Sequence, residues 1–226
     1  MTLVKICGIR EPAHAVAAAE AGADYIGMIL APGRRRITLE QAAKITAAVR
    51  AAAKSPPKLV GVFVNADPAE VNDMAAAAGL DMVQLSGQED EDYLERIALP
   101  KIKAIHVDSA TPGPVGWLSL RRRLTALRAM DVLPLLDAQV DGQAGGTGRT
   151  FDWSAAKGQD GIRFMVAGGL TPENVAGAIA QLHPWAVDVS SGVETAGVKD
   201  MGKVRAFIQA VRQAGQPFPQ SEGTGS

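Results

Sequence analysis

Along most of the chain, short β-branched apolar runs alternate with Ala-rich stretches of helical period. The runs predict strands near Val4–Cys7, Tyr25–Leu30, Leu59–Val64, Met82–Leu85, Lys101–His106, Leu133–Asp137, Phe164–Ala167 and Ala186–Val189. Between them the period predicts helices near Pro12–Ala21, Leu39–Ala53, Pro68–Ala78, Asp90–Ile97, Val115–Met130, Trp153–Ala156, Pro172–Gln181 and Asp200–Ala214. Stretches such as "LVGVFV" and "FMVAGG" are apolar on both faces, as strands of a helix-covered parallel sheet must be. Thr171-Pro172-Glu173 and Asp67-Pro68-Ala69-Glu70 each supply a cap, a first-turn proline and an early acid, while Gly22 and Gly79 stand where helices end.

Eight strand–helix units in 226 residues give about 28 residues per unit, near the roughly 30 of one βαβ step. The count reaches eight and stops, so the expected architecture is α/β, a single-domain (β/α)8 TIM barrel over residues 1–214. A doubly wound sheet shares the local pattern and is the alternative. The tail "GQPFPQSEGTGS", residues 215–226, has the Gly/Ser/Pro content of a disordered segment.

Composition narrows the classes. With 47% apolar and 21% charged residues the chain buries a large core, and a formal net charge of -1 points to neither nucleic acid nor an anionic membrane. One cysteine makes no intrachain disulfide, in keeping with a reducing compartment. No signal peptide and no apolar run of membrane-spanning length is visible, so a cytoplasmic location is the expectation. Nothing in the pattern sets an oligomeric state.

Barrels carry chemistry at the C-terminal ends of their strands. Cys7 ends strand 1; a lone thiol there is either a small core filler or a reacting group, and position alone leaves both open. Asp137 ends strand 6, followed by a glycine-rich loop, Gly142 to Gly148, in place of a helix. A carboxylate behind Leu135-Leu136 is costly to bury unless paired or used. The loop is no P-loop, because Gln143 and Arg149 stand where glycine and lysine belong; Phe151 likewise breaks a dinucleotide fingerprint. "AGGLTPENV" after strand 7 and "DVSSGVE" after strand 8 have the small and hydroxyl residues of an anion cradle, at the two loops where barrels often hold phosphate. The loop after strand 2 offers Arg34, Arg35 and Arg36, any one of which suits a carboxylate. No metal-ligand spacing and no Ser-His-Asp arrangement is present; His14 and His183 are placed away from the mouth, whereas His106 ends strand 5.

Six motifs in order, "VKICGIR", "GVFVNA", "VQLSGQE", "LLDA…GGTGRTFDW", "AGGLTPENV" and "AVDVSSGVE", resemble the phosphoribosylanthranilate isomerase family of tryptophan biosynthesis from Lys5 to Glu194. The resemblance implies a cofactor-free and metal-free Amadori rearrangement of a small phosphosugar, N-(5'-phosphoribosyl)anthranilate. It implies Cys7 as general base and Asp137 as general acid, with Gly168, Gly169, Ser190, Ser191 and Gly192 at the phosphate and Asp188 at the middle of the substrate. Water exclusion would then raise the Asp137 pKa while nearby donors or positive charge favour the Cys7 thiolate. The family's strand 2 loop is one residue longer; anchoring on Ile37-Thr38 assigns the anthranilate carboxylate to Arg35, with Arg36 as the competitor. Ser86 stands where the family has histidine, and His106 is the candidate to replace it. A histidine-pathway isomerase would want an aspartate at position 7, and a sensor that binds without turnover would not need Cys7 and Asp137 together.

Overall fold

The computed structural model describes residues 1–106, 114–137, 159 and 161–214. Within them β1 (Leu3–Cys7), β2 (Tyr25–Ile29), β3 (Lys58–Phe63), β4 (Met82–Leu85), β5 (Lys101–His106), β6 (Val132–Asp137), β7 (Met165–Ala167) and β8 (Ala186–Val189) close into an eight-stranded barrel in sequence order. Every pairing in it is parallel, and the closing seam sets Lys5 opposite Asp188 and Ile6 opposite Val189. That seam excludes the doubly wound alternative, whose outer strands would remain unpaired.

Around the barrel run α1 (Pro12–Glu20), α2 (Leu39–Ala52), α3 (Pro68–Ala78), α4 (Glu91–Glu95), α5 (Pro114–Ala129), α6 (Val175–Leu182) and α7 (Met201–Ala214). The helix expected at 153–156, the glycine-rich loop at 142–148 and the tail at 215–226 lie outside the described residues. The cap expected at Asp67 and the helix end expected at Gly79 are both found. Asp67 accepts a 2.8 Å hydrogen bond from the Ala69 N–H, and Gly79 ends α3 in the left-handed region at φ 65°. α6 starts later than the cap at Thr171 predicts. There the Asn174 side chain accepts from the Thr171 N–H at 2.8 Å and donates to the Gly169 carbonyl at 2.9 Å, and residues 172–174 form a turn.

Alternation along the strands divides the apolar residues into two cores. Outward positions such as Ile6, Ile26, Leu59, Val83, Leu136 and Val187 pack beneath the helices. Inward positions, including Tyr25, Val60, Ile102, Ala104, Leu133, Leu135, Met165 and Ala186, fill the barrel itself. Each fully buried Val, Leu or Ile contributes about 1.5–3 kcal/mol relative to exposure. At the N-terminal end of the strands Tyr25 and Trp185 close the floor, ring centroids 6.1 Å apart, with the Arg163 guanidinium over Trp185. The opposite end is therefore the one left for polar groups.

After β8 the chain makes a 3-10 turn, Ser191–Val193, and a two-stranded antiparallel hairpin, β9 (Glu194–Thr195) and β10 (Val198–Lys199). Ala196 and Gly197 at its tip both have positive φ, the pattern of a tight primed turn. Arg10 holds the tip by donating to the Gly197 carbonyl at 2.8 Å.

Candidate active site

Polar side chains gather at the C-terminal end of the barrel because the inward alternation of four strands delivers them there. On β1 the inward residues are Leu3, Lys5 and Cys7, so the thiol stands at the rim, one layer above the lysine. Cys7 is buried, with 6% of its surface exposed. On β6, Leu133 and Leu135 point into the barrel, and Asp137 continues their face at the strand's end, partly exposed. On β8, Asp188 points inward and is buried. Its Oδ2 accepts from the Lys5 ammonium at 3.1 Å, and its Oδ1 has no hydrogen-bond partner among the described residues.

The electrostatics bind these groups into one set. Burial pushes the Asp137 carboxyl up; the nearby His106 opposes this, Asp188 adds to it, and Lys5 opposes it. His106 owes its place to register, since it pairs with Asp137 across β5 and β6. Burial also pushes the Cys7 thiol up. Lys5 and Lys199 pull it down and Asp188 pushes it further up, with burial prevailing. The expectation for Asp137 is thus met in direction. For Cys7 the positive charge is present but does not outweigh desolvation, so the thiol form is favoured in the unliganded site.

Arg35 is the inward arginine of its loop. The Ile37 N–H donates to the Ile29 carbonyl at 2.9 Å and the Ile37 side chain is buried, which pins the loop's end to β2. Arg34 and Arg36 are exposed, while Arg35 folds over the mouth. Its stem passes so close to Gly8 that a Cβ there would lie 2.9 Å from Arg35 Cδ and 3.0 Å from Ser190 Oγ; Gly8 also has φ 76°. The guanidinium grips Glu194, which in turn accepts from Lys199 Nζ at 2.9 Å. Sequence reading missed Lys5, Glu194 and Lys199. A lysine at the inward parity of an otherwise apolar strand was a usable signal for the first. The other two sit on the hairpin, whose Ala196-Gly197 tip lacks the Asn-Gly or Asp-Gly cue.

The two loops with small residues touch. Gly192 lies against the Leu170 carbonyl so closely that no side chain fits. Gly168 and Gly169 take positive φ, and Ser190 Oγ is buried with no partner among the described residues. Ser191 opens the 3-10 turn, partly exposed. Elsewhere, Ser86 accepts from Gln84 Nε2 at 3.1 Å, His14 lies 3.8 Å from Glu11 on the outer layer, and His183 caps α6 at the far end. A hollow of about 440 Å³ between the loops that follow β3 and β4, lined by Asn65, Glu89 and Tyr93, contains none of these groups. Among the described residues no cluster of acids, histidines or cysteine is arranged to hold a metal ion, and no helix is long and apolar enough to cross a membrane.

Comparison with known proteins identifies relatives of this chain in sequence and in fold. The family model described as N-(5'phosphoribosyl)anthranilate (PRA) isomerase matches residues 4–210. An N-(5'-phosphoribosyl)anthranilate isomerase of Roseiflexus castenholzii is 47% identical over 94% of this chain and 99% of its own length. One of Dehalococcoides mccartyi is 43% identical over 95% and 97%. Among solved structures, the phosphoribosyl anthranilate isomerase of Thermotoga maritima superposes with a TM-score of 0.81 at 35% identity, covering 94% of this chain and all of that one. A phosphoribosyl anthranilate isomerase in complex with reduced 1-(o-carboxyphenylamino)-1-deoxyribulose 5-phosphate superposes at 0.76 with 34% identity and the same coverage.

Proposed function

The chain belongs to the N-(5'-phosphoribosyl)anthranilate isomerase family, and from that premise we propose that Cys7 and Asp137 divide the proton transfers of its reaction between them. The enzyme converts N-(5'-phosphoribosyl)anthranilate to 1-(2-carboxyphenylamino)-1-deoxyribulose 5-phosphate in tryptophan biosynthesis, an aldose–ketose isomerisation by acid and base.

The reaction asks for one proton given and one taken. Asp137 in its acid form donates to the ribose ring oxygen; the C1′–O bond breaks, and the anthranilate nitrogen's lone pair forms the C1′ Schiff base. The Cys7 thiolate then removes the C2′ proton, and that bonding pair moves to give the enolamine. Protonation at C1′ and loss of the 2′-hydroxyl proton complete the ketone. A carboxyl that burial keeps protonated longer than usual suits the first step. The thiol needs its cationic neighbours for the second.

The observation that carries this reading is one of placement. Cys7 and Asp137 occupy inward strand-end positions of the same rim, both within the field of Lys5 and Asp188. The touching loops of β7 and β8 flank that rim. In the proposed pose Gly168, Gly169, Ser190, Ser191 and Gly192 receive the phosphate, with the unpartnered Ser190 hydroxyl as a donor. Arg35 takes the anthranilate carboxylate. Asp188, through its unused Oδ1, accepts a sugar hydroxyl at the middle of the substrate. Conversion of synthetic substrate by the purified chain, with rescue of a tryptophan auxotroph lacking this step, tests the assignment. Binding of the phosphate ester without conversion would instead support a sensor.

A further inference from the structure

Lys5 lies in the middle of a barrel strand with none of its side chain exposed. Taking an ammonium out of water costs several kcal/mol unless partners compensate, and an apolar pair of similar volume is often as stable as a buried ion pair. Stability alone therefore gives little reason for a lysine here. Its Nζ carries three donors, and Asp188 Oδ2 at 3.1 Å accounts for one.

The next neighbour is the thiol. Residues two apart on a strand share a face, so Lys5 sits directly beneath Cys7. Their side chains converge beside β2, where Gly27 pairs with Cys7. A Cβ on Gly27 would lie 2.8 Å from Cys7 Sγ and 3.1 Å from Lys5 Nζ, so the absent side chain leaves one gap that both atoms border.

The other charges facing Cys7 are already engaged. Arg35, from the loop after β2, is bound through two hydrogen bonds to Glu194. Lys199, from β10, donates to Glu194 Oε1 and to the Ser190 carbonyl. Asp188, from β8, is a carboxylate that acts on the thiol, and it opposes ionisation.

Resting on the reading of Cys7 as the base, we infer that Lys5 is a positioning residue for the rearrangement: its ammonium, bonded to Asp188 and bordering the sulfur, is the fixed positive charge against which the thiolate forms. No proton passes through it. Burial alone would pull Lys5 down, yet Asp188 and Cys7 together hold it above its ordinary value, so it stays charged while the thiol ionises.

Cys7 is the only cysteine, so alkylation by iodoacetamide reports on it alone. The rate is measured against pH for the ligand-free chain and for two variants that shift the thiol in opposite directions. Lys5→Met removes the charge at similar volume; its curve should move to higher pH, with alkylation about tenfold slower at a fixed pH below the midpoint. Asp188→Asn keeps the shape and leaves the ammonium's field undivided; its curve should move to lower pH. If Lys5→Met fails to fold, Lys5→Gln, which removes the charge but keeps a donor for Asp188, is read in its place, with the same shift expected. Curves superimposable on wild type would reduce Lys5 to a structural partner of Asp188 and overturn the inference. Failure of the underlying reading looks different: Cys7→Ala would retain turnover, whatever Lys5 does.

Discussion

Arg35 and Glu194 meet fork to fork, Nε to Oε1 at 2.7 Å and Nη2 to Oε2 at 2.8 Å. Two parallel charge-assisted bonds fix the guanidinium plane before any ligand arrives. The Arg35 stem is held against Gly8, close to the Ser190 side chain.

Removal of that arginine is expected to act on binding. Arg35→Ala should raise KM by about 30-fold or more, the usual cost of truncating one partner of a desolvated charge pair, with a smaller change in kcat. Arg36→Ala, at an exposed position, should stay within about twofold. Steady-state kinetics on both variants separate the two, and a larger KM effect at Arg36 would move the carboxylate contact one residue along.

The same clamp has an acid signature. Burial pushes the Glu194 carboxyl up, but Arg35 and Lys199 outweigh it and hold it at about 2. A carboxyl depressed in the folded state stabilises the fold above the ordinary carboxyl range, and this contribution is lost as pH falls toward 2. Urea midpoints measured between about pH 5 and 2 should therefore fall less steeply in Glu194→Gln than in wild type. Parallel slopes would mean that the clamp adds nothing to folding.

Chemistry should fail without either proton carrier. Cys7→Ser and Asp137→Asn are each expected to lower kcat by about 10²–10⁴ while the far-ultraviolet spectrum is retained. Near-wild-type turnover in one of them removes that side chain from the mechanism.

A thiol ordinarily ionises at higher pH than a carboxyl, and burial pushes both upward here, so the expected working combination, Asp137 protonated with Cys7 ionised, is a minority form. A bell-shaped kcat/KM profile should result, its acid limb set by Asp137 and its alkaline limb by Cys7. The iodoacetamide midpoint of the thiol is expected to coincide with the alkaline limb. Coincidence with the acid limb would reverse the assignment.

The loop contact at Gly192 makes a steric prediction. A Cβ there collides with the Leu170 carbonyl, backbone that cannot rotate away, so Gly192→Ala should part the β7 and β8 loops. Inhibition by inorganic phosphate should weaken markedly, while alkylation of Cys7 stays close to wild type. A variant unaltered in both would place the phosphate elsewhere.

Strands were legible because parallel barrels bury both faces: β4, β5 and β8 begin and end where the apolar runs do. Cys7 and Asp137 stood out as candidates because each ends such a run, whereas Asp188 came only from the family resemblance. The hairpin was not, since two-residue strands have no period to read and Ala196 takes a left-handed conformation that alanine rarely announces. Nor was the balance at Cys7. Positive charge near the thiol was foreseeable, but its defeat by desolvation depends on depth, which a strand's alternation does not encode. The capping box of Thr38 with Gln41 is carried by the Thr-x-x-Gln spacing alone.

Lys5 and Asp188 are 183 positions apart and joined at 3.1 Å only because β8 lies down beside β1. On a ribosome, a chain extended no further than β7 holds an ammonium that still has water for company and a thiol with no special neighbourhood. The grouping of ammonium, carboxylate and thiol is therefore complete only when the final strand closes the ring.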